Sequence, residues 1–446
     1  MTLSRVFVAN RGEIAVRIVR ACRTLGLETV VGVSDVDRES LAASLADRAV
    51  CIGPARASES YLRADTVVQA AMGTGCDAVH PGYGFLSENP VLAAGARENG
   101  LRFVGPPAEV IELSGDKLRA RQVAADAGLP LVPGREVATA ADARRFADEA
   151  GFPVLLKAAG GGGGRGIKLA EDPASLASLF RVAVAEAGSA FGDDRIYAER
   201  FVRAARHVEV QIAADEHGHV VHLGERDCSV QRRYQKVIEE APAPLLDPAL
   251  RDGLTSAAVA FARSIGYTNL GTVEFMVDAE NGEFFFLEIN CRIQVEHPVT
   301  EEVTGIDLVA EQLSIADGRP LSFTQDDVRF EGHAVECRLT AEDVEQDFRP
   351  SPGRLSRFAV PVMDNLRVDT HCRDGALIPP YYDSLMAKLI GRGPDRAAAV
   401  AVLSEALERL EVEGVVTNRA LLTRVLRHED FTAGAVTTKW LEEAIA

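Results

Sequence analysis

The sequence predicts a mixed α/β protein with three parts. These are a parallel sheet flanked by helices at the N-terminal end, a small unit around a glycine loop, and an antiparallel sheet toward the C-terminus. Three observations predict it. From residue 5 to about 110, apolar strand-like runs alternate with helical periods, the pattern of a parallel sheet covered by helices. Over 152–203 the order is strand, glycine loop, strand, helix, strand. From 205 to 300, strand-like alternation and hairpin turns dominate. A chain of 446 residues exceeds one ordinary core, so two to four domains are expected.

Each element has a local reason. RVFVA is a short apolar strand, GEIAVRIVRACRTLG has a helical period, and ETVVGVS is a strand again. DAVHPGYG and LRFVGPP are strands closing on Gly and Pro. The first turn, Asn10 to Glu13, has one glycine and lacks GxGxxG, so dinucleotide binding is not indicated there. Residues 115–150 read as helical, with breaks at Gly128-Leu129-Pro130 and Pro133-Gly134. FPVLLKAA, GIKLA and RIYAERFV are strands, and ASLASLFRVAVAEA is a helix. Near the end, RAAAVAVLSEALERLEV and ALLTRVLRH are core-packing helices.

Composition narrows the function classes. Hydrophobic content of 47% and charged content of 26% are ordinary globular values. A formal net charge of −18 argues against nonspecific nucleic-acid binding, which needs a basic surface. Seven scattered cysteines with no CxxC pair point to a reducing compartment. The N-terminus has no secretory signal pattern, and no apolar stretch approaches the ~20 residues of a membrane span. A cytoplasmic protein with neither a nucleic acid nor a membrane as partner is expected.

KAAGGGGGRGIK, residues 157–168, holds five consecutive glycines. Gly161, Gly163 and Gly166 satisfy GxGxxG, but the dinucleotide motif needs a helix next, and IKLAED reads as a strand. Walker A fails because Gly166 precedes Ile167. Two readings remain: a lid whose bare N–H groups close over a triphosphate, or a hairpin tip without a ligand. Lys157 just before the loop and Lys117 in SGDK favour the lid.

FFFLEINCRIQVEHP, residues 284–298, is the most informative run. If extended, it puts Glu288, Asn290, Arg292, Gln294 and Glu296 on one face. A half-buried strand with a solvated face is the plain alternative, but Asn is unusual inside strands. Carboxylates and an amide are hard oxygen donors for Mg²⁺ or Mn²⁺, with Glu274 as a second carboxylate across the strand pair. Arg292 offers a planar fork for a small oxyanion. RHVEVQIA aligns His207, Glu209 and Gln211 on one face. His217, His219 and His222 read as a hairpin tip rather than a zinc site, since no Cys or carboxylate completes tetrahedral ligation. ERDCSVQRRYQK is a basic island in an acidic protein, suited to phosphate or carboxylate.

Taken together, the motifs resemble the biotin carboxylase family within the ATP-grasp superfamily, over essentially the whole chain. They include FVANRGEIAVRI, HPGYGFLSEN, SGDK, KAAGGGGGRGIK, ARHVEVQ, ERDCSVQRRYQKVIEEAPAP, EINCRIQVEHPVTE, GHAVECRL and YYDSLMAKLI. The resemblance implies an ATP-grasp fold with a pre-ATP-grasp domain at 1–114, a helical linker at 115–132, a lid at 133–203 and a C-terminal domain at 204–446. It also implies an ATP-dependent ligase, the biotin carboxylase subunit of an acetyl-CoA or acyl-CoA carboxylase of fatty acid biosynthesis.

Residue by residue, the resemblance implies that Lys117, Lys157, Gly163 and Gly164 hold the phosphates of ATP. Glu199, Arg200, Phe201 and Val202 would form the adenine hinge, with His207, Gln231 and Tyr234 around the nucleotide. Glu274, Glu288 and Asn290 would hold Mg²⁺ or Mn²⁺, two ions in all. Lys236, Arg292, Gln294, Val295 and Glu296 would bind bicarbonate, with Glu296 as general base. Arg338 would stabilise the biotin enolate, and Tyr83 would line the biotin side. The partners implied are a biotin carboxyl carrier protein, carboxyltransferase subunits and a second copy in a homodimer. No biotin-attachment sequence is present, so biotin is expected on another polypeptide or as free biotin. Departures from the family pattern are Tyr234 for His, Ala198 for Met, which implies a roomier adenine pocket, and Cys291 for Thr, its side chain expected to face away from the metal. Rival readings are another acyl- or carbamoyl-phosphate-forming ligase and a catalytically dead ATP-binding scaffold.

Overall fold

The structure is a computed structural model and describes residues 2–159 and 166–444. Strands β1 (Arg5–Val8), β2 (Glu28–Ser34), β3 (Arg48–Gly53), β4 (Ala78–His80) and β5 (Arg102–Phe103) form a parallel sheet in the order β3-β2-β1-β4-β5. Val6, Phe7 and Val8 are fully buried, as expected for a strand covered on both faces. The helix Gly12–Thr24 follows β1 and buries Ile14, Ile18 and Cys22 one turn apart, which fixes its inward face.

Strands β6 (Gly134–Val137), β7 (Val154–Ala158), β8 (Ile167–Ala170) and β9 (Ile196–Arg200) form an antiparallel sheet in the order β6-β9-β7-β8. The reading of IKLAED as a strand holds: Lys157 pairs with Ile167 and Val154 with Ala170. Gly163 and Gly164, expected over the phosphates, lie outside the described residues. The reading of 115–150 as helical is only partly right. Helices Lys117–Asp126 and Ala140–Ala150 flank β6, whose backbone pairs with β9 from Gly134 to Val137. The Pro133-Gly134 break therefore opens a strand.

The largest sheet is antiparallel throughout. It comprises β10 (Ala205–Ala214), β11 (Val220–Arg232), β12 (Gln235–Ala241), β13 (Asn269–Asp278), β14 (Glu283–Asn290), β15 (His333–Thr340), β16 (Leu366–Thr370) and β17 (Leu385–Gly393). The order is β14-β13-β10-β11-β12-β15-β17-β16. The helix Arg396–Arg409 lies on it, burying Ala399, Leu403, Ala406 and Leu407. Gly391 on β17 permits that approach, since a Cβ there would stand 2.5 Å from the Ala399 carbonyl oxygen.

Two expectations for 205–300 need correction. The helix Pro248–Ser264 interrupts the strands. Asp247 caps it by accepting from the amides of Ala249 and Leu250, Pro248 opens it, and Leu254, Ala258, Phe261 and Ala262 face the core. In addition, 284–298 is not one extended strand. β14 ends at Asn290, where the Cys291 amide donates to Glu88 Oε1 rather than to a ladder partner. The helix His297–Thr304 then begins, so Arg292, Gln294 and Glu296 stand on the connection. His217 and His219 lie in the turn between β10 and β11 and His222 on β11. His217 Nε2 meets the Gly318 carbonyl at 3.1 Å and His219 Nδ1 meets Asp215 at 2.7 Å. Among the described residues, no helix is long and apolar enough to cross a membrane.

Candidate active site

A cleft of about 960 Å³ opens between the three sheets. Its walls include Tyr83, Lys117, Lys157, Glu199, His207, Gln231, Tyr234, Lys236, Glu274, Glu288, Asn290, Arg292, Gln294, Val295 and Arg338, drawn from all parts of the chain. The residues singled out between 83 and 338 thus line one space, apart from Arg200 to Val202 of the hinge, the undescribed glycines and Glu296, which lies buried behind the wall.

Strand register explains the floor. Arg226 on β11 is opposite Glu209 on β10, Glu209 is opposite Glu274 on β13, and Glu274 is opposite Glu288 on β14. Three carboxylates therefore stand in a row across adjacent strands, an arrangement that costs stability unless cations offset it. Arg226 Nε donates to Glu209 Oε1 at 2.6 Å. His207 Nε2 lies 3.2 Å from Glu274 Oε2, and Lys117 Nζ lies 3.2 Å from Glu288 Oε2. The ligating atoms of His207, Glu209 and Glu274 fall within 4.8 Å of one another. Asn290 continues the face beyond Glu288, and its buried Nδ2 has no partner among the described residues.

Lys236 is the hub of the wall. Its Nζ donates to Glu209 at 2.7 Å, Glu274 at 3.0 Å and Glu296 at 2.6 Å. Burial pulls its proton affinity down, but Cys228, Glu209, Glu274 and Glu296 outweigh that and carry it well above the lysine range. Arg292 is braced by Glu88 at 3.1 Å, Gln294 at 2.7 Å and Asn290 at 3.2 Å, which aims its fork into the cleft.

Glu296 is fully buried, yet it touches both sides of the site. Oε1 accepts from Lys236 at 2.6 Å and Oε2 accepts from Arg338 at 2.9 Å. Burial raises its proton affinity, but Lys236, Arg338 and Arg226 hold its carboxyl well below the usual range. Arg338 also contacts Glu239, and its buried Nε donates to nothing among the described residues. A buried donor without a partner on the wall of a cleft is suited to a ligand oxygen.

Tyr83 donates to Glu13. Lys157 meets Glu199 at the end of the lid sheet. In the hinge, Arg200 stacks on Phe285, Lys439 stands 4.4 Å over the Phe201 ring, and Val202 is buried. Tyr234 sits at a hairpin turn with φ of +66° and is 61% exposed. Two of the noted departures resolve differently. Cys291 faces away from the cleft, its Sγ 3.9 Å from the Val110 carbonyl, as expected. Ala198 is fully buried in the core of the lid with Phe146 and Leu156, so it does not enlarge a nucleotide pocket.

These contacts also bring in residues that motif reading left without a role: Glu13, Glu88, Arg226, Glu239 and Lys388. Lys388, fully buried, donates to the Val295 carbonyl at 2.8 Å and pairs with Glu13 at 3.1 Å. For Glu13, Arg226, Glu239 and Lys388 the sequence signal was a charged residue inside a strand or helix with apolar neighbours, which needs a buried partner; Glu88 lies in a turn and gave none.

Comparison with known proteins decides the family. The family models for the biotin carboxylase N-terminal domain, the ATP-binding domain of the carbamoyl-phosphate synthase L chain and the biotin carboxylase C-terminal domain match residues 2–111, 116–324 and 336–443. Biotin carboxylase from Nostoc sp. is 47% identical over 99% of both chains. The chain belongs to the biotin carboxylase family. Biotin carboxylase 1 of Bacillus subtilis is 46% identical over 99% of this chain and 98% of its own. The biotin carboxylase domain dimer of Hydrogenobacter thermophilus 2-oxoglutarate carboxylase, solved with MgADP, ADP and bicarbonate, superposes with a TM-score of 0.94 at 44% identity. It covers 100% of this chain and 98% of that one. Campylobacter jejuni biotin carboxylase in its β,γ-ATP complex gives a TM-score of 0.94 at 41% identity, with 99% of each chain covered. The ATP-grasp fold is therefore shared in full. The carbamoyl-phosphate synthase model covers only the ATP-binding middle, and biotin carboxylase models flank it.

Glu239 and Glu336 are directly opposite in register and fully buried. Burial, with Glu296 adding to it, pushes Glu239 up to about 7 despite Arg338. Between pH 4.5 and 7 the folded chain then keeps a proton that the unfolded chain has lost, so stability falls as pH rises through that window. Glu239→Gln is expected to flatten this slope, removing a stability change of about 3 kcal/mol across the window, at ~1.4 kcal/mol for each tenfold in proton affinity. Denaturant unfolding at a series of pH values checks it; an unchanged slope contradicts the assignment.

Proposed function

We propose that this cleft carries out ATP-dependent carboxylation of biotin by bicarbonate through carboxyphosphate, with biotin delivered on a separate carrier protein. A carboxyltransferase subunit would pass the carboxyl group on, and two copies of the chain would pair. The observation that carries the reading is the position of Glu296. One buried carboxylate contacts Lys236 on the bicarbonate side and Arg338 on the biotin side.

Lys117 and Lys157 bind the phosphates of ATP, the hinge Glu199 to Val202 receives adenine, and His207, Gln231 and Tyr234 surround the nucleotide. Lys236, Arg292, Gln294 and Val295 hold bicarbonate. Its negative charge weakens the hold of Lys236 on Glu296, so the carboxylate gains basicity when substrate is present. Glu296 takes the bicarbonate proton and the freed oxygen attacks the γ-phosphorus, breaking its bond to the β,γ-bridging oxygen and releasing ADP. Carboxyphosphate breaks into CO₂ and phosphate, and phosphate removes the proton from the ureido nitrogen of biotin. Arg338 stabilises the enolate oxygen that results, Tyr83 borders it, and the ureido nitrogen attacks CO₂ to form the N–C bond of carboxybiotin. The row of opposed carboxylates ending at Asn290 fits Mg²⁺ or Mn²⁺, with Glu274, Glu288 and Asn290 as oxygen donors. A bound divalent ion would neutralise charge on the transferring phosphoryl group. The division into 1–114, 115–132, 133–203 and 204–446 belongs to the same reading; the separate sheets and the glycine loop support it.

Arg292→Lys tests the bicarbonate site. A lysine cannot supply the fork that Glu88, Gln294 and Asn290 aim, so the KM for bicarbonate is expected to rise by about 10- to 100-fold. The KM for ATP should stay within about threefold. Equal changes in both would contradict the assignment, and ADP release driven by an amine without biotin would favour a different ligase.

A further inference from the structure

We infer that Arg121 is a positioning residue that frees Lys157 for the nucleotide by keeping Glu199 neutralised. The inference rests on the proposed phosphate role of Lys157. Glu199 is only 2% exposed and carries two cations. Lys157 is on one oxygen, and Arg121 Nη1 lies 3.3 Å from the other.

The two cations are held very differently. Arg121, on the helix Lys117–Asp126, donates through Nη2 to the Val132 carbonyl and the Tyr197 hydroxyl, both at 3.1 Å. Its guanidinium also stacks on the Tyr197 ring at 5.0 Å. These anchors do not involve Lys157. Lys157, by contrast, is more exposed and has Glu199 as its sole ion-pair partner among the described residues. Both line the cleft.

Binding a phosphate requires the Lys157 ammonium to turn away from Glu199. A buried carboxylate stripped of its last cation is strongly unfavourable, so that turn is feasible only if a second cation stays. Arg121 is that cation. Its fork meets a carboxylate, a carbonyl and a hydroxyl at once, a geometry a guanidinium suits and an ammonium does not. It also ties the linker helix to β9, so the lid keeps its attachment while Lys157 moves.

The test is steady-state ADP release with bicarbonate and biotin at varied ATP. Arg121→Met is expected to raise the KM for ATP about tenfold while kcat stays within about threefold, because Lys157 is then retained by Glu199. Arg121→Lys, which keeps the charge and safeguards against a folding defect, should recover part of that loss. In a Glu199→Gln background, adding Arg121→Met should change the KM by less than about twofold, since no charge remains to hold Lys157. A wild-type KM in Arg121→Met, alongside a raised KM in Lys157→Gln, overturns the inference and leaves the Lys157 reading standing. An undiminished Arg121 effect in the Glu199→Gln background also overturns it, because Arg121 would then contact the nucleotide itself. A wild-type KM in Lys157→Gln defeats the Lys157 reading and the inference together.

Discussion

Glu296→Gln is expected to lower kcat for bicarbonate-dependent ADP release by about 10³, the middle of the range for loss of a positioned general base. The amide keeps the volume and can still bond to Lys236 and Arg338, so the wall should keep its shape. What it loses is the ability to accept a proton at the position where bicarbonate would sit between Lys236 and Arg292. Its KM for ATP should change little, because Glu296 makes no contact with Lys117, Lys157 or the hinge among the described residues. Burial opposes ionisation of Glu296, but Lys236, Arg338 and Arg226 overcome it, so the carboxylate is ionised throughout the neutral range. Its stabilising contribution is present above the ordinary glutamate value and is lost only as pH falls through the lowered one. The wild-type rate should therefore show no acid limb from Glu296 between pH 6 and 8 on the order set by that shift. A rate within about tenfold of wild type in Glu296→Gln contradicts the base assignment.

Arg338→Gln is the second large effect, and it should separate the two halves of the reaction. Arg338 shares Glu296 with Lys236, and its buried Nε has no hydrogen-bond partner among the described residues. Removing it takes away the donor proposed for the enolate oxygen, an expected loss of about 10²–10³ for one preorganised donor. Carboxybiotin formation should fall by that factor. Bicarbonate-dependent ADP release should fall by less than about tenfold, because the bond from Lys236 to Glu296 remains. The ratio of ADP to carboxybiotin then rises far above the coupled value. Equal loss of both products would place Arg338 in the phosphoryl-transfer step instead.

Much of the site was legible in the sequence because its side chains occur in register-bearing motifs. Period-two reading of RHVEVQIA aligned His207 with Glu209, and GTVEFMV supplied Glu274 on a strand that the structure places beside it. The strand after the five glycines excluded a dinucleotide loop, and β8 is that strand. What local pattern missed had tertiary causes. The extended reading of 284–298 failed because Glu88, some two hundred positions earlier, takes the Cys291 amide and ends β14. Arg292 still lines the cleft, from a connection rather than a strand, and Glu296 at a helix start lies behind it, against Lys236 and Arg338. Lys388 and Glu13 could be noticed as charges in apolar segments, yet their pairing depends on β17 meeting the first helix. The helix Pro248–Ser264 was legible from Asp247-Pro248 and its apolar spacing, and strand-rich neighbours masked it. β6 was hidden by helices on both sides, since four residues are too few for a period to show.

Bicarbonate oxygen attacks the γ-phosphorus, so that oxygen must remain on phosphate when carboxyphosphate breaks. The most direct measurement is mass analysis of phosphate and carboxybiotin formed from ¹⁸O-labelled bicarbonate, ATP and biotin. The predicted result is labelled oxygen in phosphate and in the carboxyl group alike, with ADP release dependent on bicarbonate. Unlabelled phosphate, or ADP release indifferent to bicarbonate, would contradict it.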